Sequence, residues 1–583
     1  MQEDINKTKE EKITGGEALM RCLKAEGADI VFGYPGGTIM PVYDNLYAHR
    51  EDIRHILTRH EQGAIHAAEG FARATGKTGV VVCTSGPGAT NLVTGIADAR
   101  IDSTPLVVIA GQVSTTVLGN DAFQETDFID VTNPISKWGI LVKHASEIPE
   151  IIARAFFIAN SGRPGPVVID LPRNVQLELM DWKGYEKCDF IRTYIDRPKL
   201  KNEEIRIAAG LLNEARRPLI LAGNGVSVAG AERLLGEVAE KGDFPVATTM
   251  LGLSAMPSGH RLNKGMLGMH GNIGPNVATN RADVILAVGM RFDDRVVGSV
   301  KDYAPLAKII HIDIDASEMG RTINPYLTIH ADAADALKEL LPLIEEKNRP
   351  EWLEFFSRCE KTEYEKVIKK QIAPPQGSLM TMAEVVNKVS EAFNTDAILV
   401  TDVGQNQMTA VRYFRFSSPR SVITSGGLGT MGFGLPASIG AKIGCPQREV
   451  CLFCGDGGFQ MTMQELGTIM EEGVAVKIVI LNNNFLGNVR QWQQLFFGAR
   501  YSQTPLLNPD FQKIAAAYGI KGEDVEKREE LDEAIKRLKD SATPYLLNIN
   551  IDPYDMVFPM IYPGEAIDNI KLNETETLDV LQL

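Results

Sequence analysis

The residues best suited to chemistry follow two neighbouring apolar segments in the last third of the chain. Gly455-Asp456-Gly457-Gly458 follows the run Val450–Cys454, and Asn482-Asn483-Asn484 follows the run Val476–Leu481. Each run has the composition of a buried strand, and the segment from 461 to 472 between them has a helical pattern. Because a helical crossover makes the two strands parallel, their carboxyl ends lie at one edge of a sheet. The pattern therefore predicts that the acid and the amides converge.

A carboxylate beside neutral oxygens suits a hard cation. Asp456 offers the charge and Asn483 an amide oxygen, whereas softer metals would favour Cys or His. The surrounding glycines let backbone amides approach an anion closely. We therefore predict Mg²⁺ bound together with a diphosphate. Gly-Asp-Gly alone is ordinary turn chemistry, so the prediction depends on the crossover helix and the three asparagines as well.

Size and charge limit the classes of function. A chain of 583 residues that is 44% hydrophobic can build three or four domains, each with its own core. Its formal net charge of −15 argues against nucleic acid and against an anionic membrane surface as partners. The charged amino terminus lacks an apolar signal segment, and no apolar stretch approaches the roughly 18 residues of a membrane span. We expect a soluble, cytoplasmic protein.

The cysteines and histidines do not indicate a redox or metal site. Cys451 and Cys454 match C-x-x-C, but they lie inside a predicted strand, whereas a redox pair lies at the start of a helix. We interpret them as core residues. The nine histidines form no cluster with metal-ligand spacing.

Alternating strands and helices predict an α/β fold with three doubly wound parallel-sheet domains. The predicted domains span residues 14–182, 200–345 and 376–553, and residues 554–583 form a tail that either folds over a site or is loose. The predicted strands, besides the two above, are DIVFGYPG, HILTRHE, GVVVCTSGPG, PLVVIAGQ, GPVVIDLP, PLILAG, PVATTM, DVILAVG, KIIHIDID, AILVTDVG, SVITSGG and PYLLNINID.

The Gly-Asp-Gly unit with its closing asparagines resembles the thiamine-diphosphate (ThDP) fold of the 2-oxo acid decarboxylase and carboligase superfamily. The resemblance implies that Asp456, Asn483 and the main-chain carbonyl of Phe485 are Mg²⁺ ligands. ThDP also requires a carboxylate that protonates N1′ of its aminopyrimidine, far from the diphosphate. Glu61, at the start of a predicted helix, resembles that activating glutamate. Taken by itself, it could equally be a solvated acid at a helix start.

Further segments resemble the loops that hold this cofactor, among them Tyr34–Gly37, Ser85–Gly88 and Thr424–Met431. A buried Met such as Met431 is also ordinary core filler. The residues implied to bind ThDP are Tyr34, Pro35, Glu61, Pro87, Asn91, Gln405, Gly427, Met431, Gly455, Gly457 and Gly458. Since the two halves of the site lie on different domains, the resemblance implies a homodimer or a dimer of dimers.

The middle domain distinguishes members of the superfamily. Gly223 to Gly230 departs from G-x-G-x-x-G, so a standard NAD site is not supported. Asp313 ends a strand as a ribose-binding acid would, or as an ordinary turn residue. The domain nevertheless resembles the FAD-binding part of acetohydroxyacid synthase (acetolactate synthase) large catalytic subunits of the biosynthetic type. The implied FAD residues are Arg163, Gly223, Gly225, Gly268, His270, Gly271, Arg291, Asp293, Arg295, Asp313 and Asp332.

The resemblance also implies the residues that handle substrate. Arg295 would pair with the carboxylate of the second substrate through its guanidinium. Trp492 would favour 2-oxobutanoate by contact with one extra methyl group, worth about 1–3 kcal/mol; alternatively, it belongs to the apolar face of an amphipathic helix. Gln124 would orient intermediates as a catalytic residue, while Phe123 and Met269 would line the same entry.

The resemblance runs from about residue 14 to residue 565. It implies an enzyme that decarboxylates pyruvate on ThDP and condenses the hydroxyethyl carbanion with pyruvate, giving 2-acetolactate, or with 2-oxobutanoate, giving 2-aceto-2-hydroxybutanoate. This is the first common step of valine, leucine and isoleucine biosynthesis, with FAD bound and a small regulatory subunit as partner. The alternatives are pyruvate oxidase, glyoxylate carboligase, which Glu61 disfavours, and a nucleotide-binding regulatory protein with degenerate sites.

Five positions depart from the common pattern of that family. They are Ser114, Arg173, Asn406, Tyr562 and Glu565. None belongs to the Mg²⁺ or Glu61 pattern, so they leave open only the shape of the substrate channel and the sensitivity to inhibitors.

Overall fold

The computed structural model describes residues 11–375 and 377–583. Gln376, where the third predicted domain begins, and the charged residues 1–10 lie outside the described residues. The chain forms two compact units. The first unit contains the residues up to Asp196 together with Gln464–Glu472, and the second unit contains Arg197–Met463 and Gly473–Leu583.

The described part of the first unit has eight strands, six of which form one parallel sheet. They are β1 (Glu11–Thr14), β2 (Ile30–Tyr34), β3 (Arg54–Leu57), β4 (Gly79–Cys83), β5 (Leu106–Gln112), β6 (Trp138–Leu141), β7 (Pro166–Pro172) and β8 (Leu179–Trp182). The helices are α1 (Gly15–Glu26), α2 (Met40–Ala48), α3 (Glu61–Thr75), α4 (Pro87–Thr90), α5 (Val93–Asp102), α6 (Phe128–Thr132), α7 (Ile148–Asn160) and α8 (Arg173–Leu177). The sheet order is β3-β2-β4-β5-β7-β6, and β1 pairs with β8 antiparallel.

Burial on both faces explains the apolar strands of this sheet. Every residue of β4, β5 and β7 is buried, as expected where helices cover a parallel sheet on both sides. Helix α3 begins where the His60 ring accepts a hydrogen bond from the Gln62 backbone N–H (3.1 Å), and it ends at Gly76, whose φ of 75° is left-handed.

The second unit begins with a central sheet whose strands are β9 (Pro218–Ala222), β10 (Val246–Thr248), β11 (Asn263–Met266), β12 (Val284–Val288), β13 (Lys308–Asp313) and β14 (Leu327–His330). Its helices are α9 (Asn202–Glu214), α10 (Asn224–Val228), α11 (Glu232–Gly242), α12 (Ile273–Arg281), α13 (Asp294–Val297), α14 (Ala333–Leu340), α15 (Pro350–Glu363) and α16 (Lys369–Ile372). The order β11-β10-β9-β12-β13-β14 is that of dinucleotide-binding folds, and it reverses between β9 and β12.

A third parallel sheet follows in the same unit. Its strands are β15 (Ile398–Thr401), β16 (Val422–Ile423), β17 (Val450–Gly455), β18 (Lys477–Asn482), β19 (Lys521–Val525) and β20 (Tyr545–Asn550). The helices here are α17 (Met382–Ala392), α18 (Gln405–Tyr413), α19 (Gly434–Gly444), α20 (Asp456–Thr462), α21 (Leu466–Glu472), α22 (Gly487–Phe496), α23 (Phe511–Ala517) and α24 (Arg528–Asp540). The order is β16-β15-β17-β18-β20-β19, and α21 belongs to the first unit.

The tail is packed and not loose. Its strands β21 (Met560–Ile561) and β22 (Ile570–Lys571) pair antiparallel. Five of its apolar residues join a buried cluster of the central sheet: Ile561, Ile567, Ile570, Leu572 and Leu578. The backbone N–H of Ile561 donates to the Met269 carbonyl (2.9 Å), so the tail is hydrogen-bonded to that sheet's loops.

The predicted α/β class with three doubly wound parallel sheets is confirmed. The sequence missed short or partly exposed strands such as β6, β14 and β19. The single helix predicted from 461 to 472 is wrong in its bounds. Helix α20 already begins at Asp456, and a 3-10 turn at Met463–Glu465 separates it from α21, where the chain passes from the second unit to the first.

All seven cysteines are free, and those of the C-x-x-C match are buried in β17. Burial raises the pKa of both thiols, so neither is a reactive thiolate at neutral pH. Within the part of the chain that the structure describes, no helix combines the length and apolar character needed to span a bilayer.

Candidate active site

Two buried acids follow the strands between which the third sheet reverses its order. Asp402 comes directly after β15, and Asp456 comes directly after β17. Both side chains are almost fully buried, each 1% exposed. In open α/β sheets, ligands bind in the crevice at such a reversal.

Asp456 lies among hydrogen-bond donors. The Asn508 side-chain amide donates to its Oδ2 at 2.6 Å. Burial raises the Asp456 pKa to about 6, although the Asn508 bond and backbone N–H groups, including those of Gly457 and Asn484, lower it. A bound cation would favour the ionised carboxylate.

Asn483 lies at the end of the neighbouring strand, as predicted. Gly455 and Leu481 are register partners in β17 and β18, which brings the two strand ends together. The Asn483 Oδ1 accepts the Phe485 backbone N–H (3.0 Å), and its Nδ2 donates to Gln405 Oε1 (3.4 Å). A carboxylate, an amide oxygen and a main-chain carbonyl are all hard oxygen donors, so these residues fit Mg²⁺.

Asp402 organises the loops around Asp456, and sequence reasoning missed it. Its carboxylate accepts the backbone N–H groups of Gly432 (3.0 Å) and Gly434 (2.9 Å). A Cβ at Gly458 would lie 2.3 Å from Asp402 Oδ1, so only glycine fits there. Asp402 therefore contacts both the loop that follows Met431 and the Gly-Asp-Gly turn.

The other predicted cofactor residues of this sheet surround the same turn. A Cβ at Gly457 would lie 2.7 Å from Leu486 Cδ2 and 3.8 Å from Met431 Cε, so Met431 is a direct neighbour of Gly457. Gly455 ends β17, and Gly427 lies in an exposed turn. Buried Gln405 donates to Gln491 Oε1 at 2.8 Å.

In the first unit, Glu61 is the first residue of α3 and is 8% exposed. Its Oε2 accepts a hydrogen bond from the Asn91 side-chain amide (2.9 Å). A Cβ at Gly88 would lie 3.1 Å from Glu61 Oε1, so the second oxygen lies against this glycine turn. The structure thus brings together Glu61 and Asn91, which the family resemblance had both implied as ThDP-binding residues.

The turns after β2 and β4 meet where the order of the first sheet reverses. The Thr38 hydroxyl lies 3.0 Å from the Thr84 hydroxyl and accepts the Ser85 backbone N–H (3.0 Å). The predicted residues of these turns remain accessible: Tyr34, Pro35 and Pro87 are all exposed.

Glu465 is a second residue that the sequence did not reveal. It is fully buried, and both of its carboxylate oxygens lie 3.1 Å from the Arg59 backbone N–H, two residues before Glu61. The Thr468 hydroxyl donates to Oε2 (2.7 Å). Burial raises the Glu465 pKa, while these hydrogen bonds lower it. Glu465 therefore anchors the start of the helix that carries the predicted catalytic acid.

Gln124 lies on a constrained turn beside the glycine loop. Its φ is 61°, and a Cβ at Gly86 would lie 2.9 Å from its own Cβ. The Glu125 carboxylate holds the turn by accepting the Ala122 backbone N–H (2.8 Å). The neighbouring Phe123 is 88% exposed, so a ligand or partner can reach its ring.

In the central sheet, two predicted FAD glycines lie at the order reversal. The Gly225 N–H donates to the Gly289 carbonyl (2.9 Å), and this contact joins the loops after β9 and β12. A Cβ at Gly223 would lie 2.3 Å from that carbonyl oxygen. Close packing of these two loops already requires glycine at this position.

The loop Gly268–Gly271 offers an unsatisfied polar atom. His270 Nδ1 is buried and has no hydrogen-bond partner among residues 11–375 and 377–583. Burial, and then the charges of Arg412 and Arg295, lower the His270 pKa to about 3, so the ring is neutral. A buried acceptor or donor without a partner fits a ligand such as a flavin. Gly268, at φ 102°, could not carry a Cβ, which would lie 2.7 Å from the Arg295 carbonyl oxygen.

Two of the predicted acidic FAD residues also cap helices. Asp293 caps α13 by accepting the N–H groups of Arg295 and Val296 (both 3.1 Å), and burial raises its pKa. Its Oδ2 lies 3.8 Å from Arg291 Nη2. Asp332 caps α14 by accepting the Ala334 N–H (2.9 Å).

The two remaining FAD candidates belong to different units. Asp313 ends β13, is 8% exposed and accepts the Asp315 N–H (2.8 Å). Arg163 belongs to the first unit, where its Nε donates to Ser103 Oγ (2.9 Å).

The structure brings together two predicted substrate residues of the central part. Arg295 Nη1 lies 3.3 Å from Met269 Sδ, and the Met269 N–H donates to the Arg295 carbonyl (2.8 Å). The Arg295 side chain is 59% exposed, so its guanidinium remains available for a carboxylate.

Trp492 lies in a row of aromatic rings. Its ring centroid is 5.1 Å from that of Phe496, which is 5.0 Å from that of Tyr562 in the tail. Tyr562 follows Ile561, whose N–H is bonded to Met269. The tail therefore connects the segments that carry Trp492 and Met269.

Comparison with known protein families matches three regions of the chain. Residues 13–131 match the thiamine pyrophosphate enzyme N-terminal TPP binding domain, residues 205–340 the central domain, and residues 402–549 the C-terminal TPP binding domain. Thiamine pyrophosphate is another name for ThDP.

The chain is also similar to curated proteins over nearly its whole length. A probable acetolactate synthase large subunit of Methanocaldococcus jannaschii is 46% identical over 95% of this chain and 95% of that protein. The acetolactate synthase large subunit of Lactococcus lactis is 42% identical over 97% of each. The acetolactate synthase isozyme 2 large subunit of Escherichia coli is 42% identical over 95% of this chain and 98% of that protein.

Proposed function

The chain belongs to the acetolactate synthase large-subunit family of thiamine pyrophosphate enzymes, and on that premise we propose that it is an acetohydroxyacid synthase. It joins pyruvate, after loss of CO₂, to a second pyruvate or to 2-oxobutanoate, in the first common step of branched-chain amino acid synthesis. The family, the ThDP-dependent class and the activity that the motifs predicted agree with the near-full-length relatives. That length of similarity is the observation that carries the proposal.

When bound, ThDP would supply the nucleophilic carbon for decarboxylation and carboligation. Glu61 holds a proton at N1′ of the pyrimidine ring, and Asn91 fixes one of its oxygens for that task. Gln124, on its constrained turn, orients the reacting groups. Tyr34, Pro35 and Pro87 are exposed in neighbouring turns and contact the ring.

Asp456, Asn483 and the Phe485 carbonyl would hold Mg²⁺, which would neutralise charge on the diphosphate. Their all-oxygen chemistry and their position at adjacent strand ends support this assignment. Gly457 and Gly458 allow Leu486 and Asp402 to pack closely against this turn, and Met431, beside Gly457, would contact the cofactor.

Residues in the loops of the central sheet of the second unit would hold FAD. The dinucleotide strand order and the unpartnered His270 Nδ1 support this part of the proposal. The neutral His270 ring offers a hydrogen bond without a charge. Of the predicted residues in the same unit, Arg291 and Asp293 would complete the site, since Arg291 Nη2 lies 3.8 Å from Asp293 Oδ2.

Arg295 binds the carboxylate of the second substrate, and Met269 positions its guanidinium. Trp492 selects 2-oxobutanoate by contact with its additional methyl group. Phe496 packs against the Trp492 ring and helps to hold it in place. Phe123, exposed in the first unit, lines the entry for substrate.

We further propose that the protein is a cytoplasmic homodimer, or a dimer of dimers, that works with a small regulatory subunit. Seven free cysteines suit a reducing compartment. The designation of the relatives as large subunits supports a small partner. Light scattering of the purified chain, alone and with a candidate small subunit, measures both assemblies.

Product analysis tests the function. The purified protein, supplied with pyruvate, ThDP, Mg²⁺ and FAD, should release CO₂ and form 2-acetolactate, and added 2-oxobutanoate should yield 2-aceto-2-hydroxybutanoate. Oxygen consumption without acetolactate would indicate a pyruvate oxidase instead. Condensation of glyoxylate alone would indicate a glyoxylate carboligase, and absence of any ThDP-dependent turnover would refute catalysis.

Glu61→Gln separates the role of the acid from that of the metal site. We expect H/D exchange at ThDP C2 to slow by roughly 10²–10⁴-fold, while Mg²⁺-dependent ThDP binding stays near wild type. Glu147→Gln is a matched control, since Glu147 only accepts backbone N–H groups at a helix start. Equal exchange rates in wild type and Glu61→Gln would remove Glu61 from the catalytic role.

A further inference from the structure

Glu363 and Arg412 form a buried ion pair beside the loop Gly268–Gly271. Glu363 is the last residue of α15, and Arg412 lies in the last turn of α18. Their side chains are 3% and 2% exposed, and Arg412 Nη2 donates to Glu363 Oε1. Neither residue belongs to the predicted cofactor or substrate residues, so the site described above gives the pair no role.

Arg412 holds the loop by its carbonyl groups. Its Nη1 donates to the His270 carbonyl (3.3 Å) and to the Gly271 carbonyl (3.1 Å). Because the guanidinium is planar and rigid, one side chain fixes the separation between these carbonyls and Glu363. The Arg412 charge also contributes, after burial, to the lowered pKa of His270 and so helps to keep that ring neutral.

Glu363 holds the two residues that follow. Asn272 Nδ2 donates to its Oε1 (2.8 Å), and the Ile273 backbone N–H donates to its Oε2 (2.7 Å). Ile273 is the first residue of α12, so the carboxylate lies at the positive end of that helix. Asn272 is fixed from a second side, because its Oδ1 accepts the N–H of Met266 at the end of β11 (2.9 Å).

Four consecutive residues, 270–273, are therefore held by two side chains that lie on other helices. Hydrogen bonds between charged partners are short and strong, and an Arg fork adds geometric specificity. The same segment carries the His270 ring, whose Nδ1 has no hydrogen-bond partner in the described part of the chain. Movement of the segment would displace the atom that fits a flavin.

We propose that Glu363 and Arg412 are positioning residues that hold residues 270–273 in the conformation that binds FAD. This inference rests on the proposed function, because it takes His270 and its neighbours as part of the flavin site. Both side chains act through the loop and not on the substrate.

Fluorescence titration with FAD tests the inference on the full-length protein after removal of flavin. In Glu363→Gln, the new NH₂ group faces donors where an oxygen accepted. We expect FAD affinity to fall by roughly 10–100-fold, which corresponds to the loss of a hydrogen bond to a charged group. ThDP affinity in the presence of Mg²⁺ should equal wild type. Hydrogen exchange should accelerate in peptides that cover residues 266–273 and stay unchanged in those that cover β17.

Further variants separate the pair from general damage. Arg412→Lys keeps the positive charge but lacks the planar fork, so it should also weaken FAD binding. In Glu363→Gln/Arg412→Gln no unpaired charge stays buried, so the loss should be smaller than the product of the two single losses. Glu384→Gln is the matched control, because it neutralises another buried carboxylate of the same unit, which accepts a hydrogen bond from Arg528 Nε (2.8 Å). Its FAD affinity should equal wild type.

The outcomes distinguish this inference from the proposed function. Unchanged FAD affinity in Glu363→Gln would overturn the positioning role. Equal losses of FAD and ThDP affinity, or an equal loss of FAD affinity in Glu384→Gln, would overturn it as well, since they indicate general destabilisation. Single losses that multiply in the double variant would show that the two side chains do not act as a pair. If the wild type binds no FAD at all, the flavin part of the proposed function fails and the inference falls with it.

Discussion

Gly63→Ala should expose how strongly Glu465 anchors the start of the catalytic helix. Gly63 lies in the first turn of α3, two residues after Glu61. A Cβ there would lie 2.2 Å from Glu465 Oε1 and 2.5 Å from its Cδ, closer than atoms can approach. Either the carboxylate leaves the Arg59 N–H or the first turn of α3 moves. In both cases the position of Glu61 changes.

The contacts of Glu465 set the size of the effect. Its carboxylate accepts hydrogen bonds from two donors, the Arg59 N–H and the Thr468 hydroxyl. Hydrogen bonds to a charged group contribute about 1.5–3 kcal/mol each, so losing both costs about 3–6 kcal/mol. Alanine stabilises a helix by about 1 kcal/mol relative to glycine, which offsets part of that loss. We expect a net destabilisation of about 2–5 kcal/mol, by the same two principles.

Hydrogen-exchange mass spectrometry measures this locally, because a chain with several domains need not unfold in one step. Peptides that cover α3 should lose protection in Gly63→Ala, and H/D exchange at ThDP C2 should slow. Gly236→Ala in α11 is the matched control, since a Cβ at Gly236 meets no atom within 4 Å. There we expect a stabilisation of about 0.5–1 kcal/mol.

The two alanine variants should therefore change protection in opposite directions. If Gly63→Ala protects α3 as Gly236→Ala protects α11, the carboxylate moves without cost and does not anchor the helix. Lost protection in α3 with a normal C2 exchange rate would show that the anchor does not position Glu61.

Three other substitutions test separate parts of the molecule. Asp456→Ala should abolish Mg²⁺-dependent retention of ThDP in equilibrium dialysis; normal retention would exclude Asp456 from the metal site. Trp492→Leu should reduce the preference for 2-oxobutanoate over pyruvate, measured as the ratio of the two products, by an amount equivalent to about 1–3 kcal/mol. An unchanged ratio would show that Trp492 does not select the substrate. Burial raises the pKa of Asp170 to about 7, with a smaller contribution from Asp127, although the hydrogen bond from Gln112 opposes the shift. The folded state then binds the proton more tightly than the unfolded chain. The contribution of Asp170 to the free energy of unfolding therefore decreases as pH rises from about 4 to about 7. The melting temperature of Asp170→Asn should increase relative to wild type over that range, and a constant difference would contradict the raised pKa.

Periodicity and turn chemistry were sufficient to predict the strands that are buried on both faces. They also placed Asp456 and Asn483 at neighbouring strand ends, because parallel pairing follows from the crossover between them. Strand β19 escaped notice because it carries no apolar run and most of its residues are exposed or half-buried. Strand β6 does carry an apolar run, but the run has only four residues and all of them are half-buried.

The residues that hold the site in place were not predictable in the same way. Glu465 anchors a backbone segment about 400 positions earlier in the chain, and Asn508 reaches Asp456 from a loop 52 positions later. Neither belongs to a local motif, because its partner is defined only by the folded path. A polar residue of this kind looks like any surface residue in the sequence.

The packing of the tail has a consequence for the order of folding during synthesis. Ile570 and Leu578 complete the same buried cluster as Ile285 in β12, yet the ribosome makes them nearly 300 residues later. Domains usually fold one after another as the nascent chain emerges, at about 5–20 residues per second. The central sheet must therefore wait with an open apolar side while the whole third sheet is translated. During that interval of roughly 15–60 s at those rates, the uncovered apolar surface makes the nascent chain prone to aggregate.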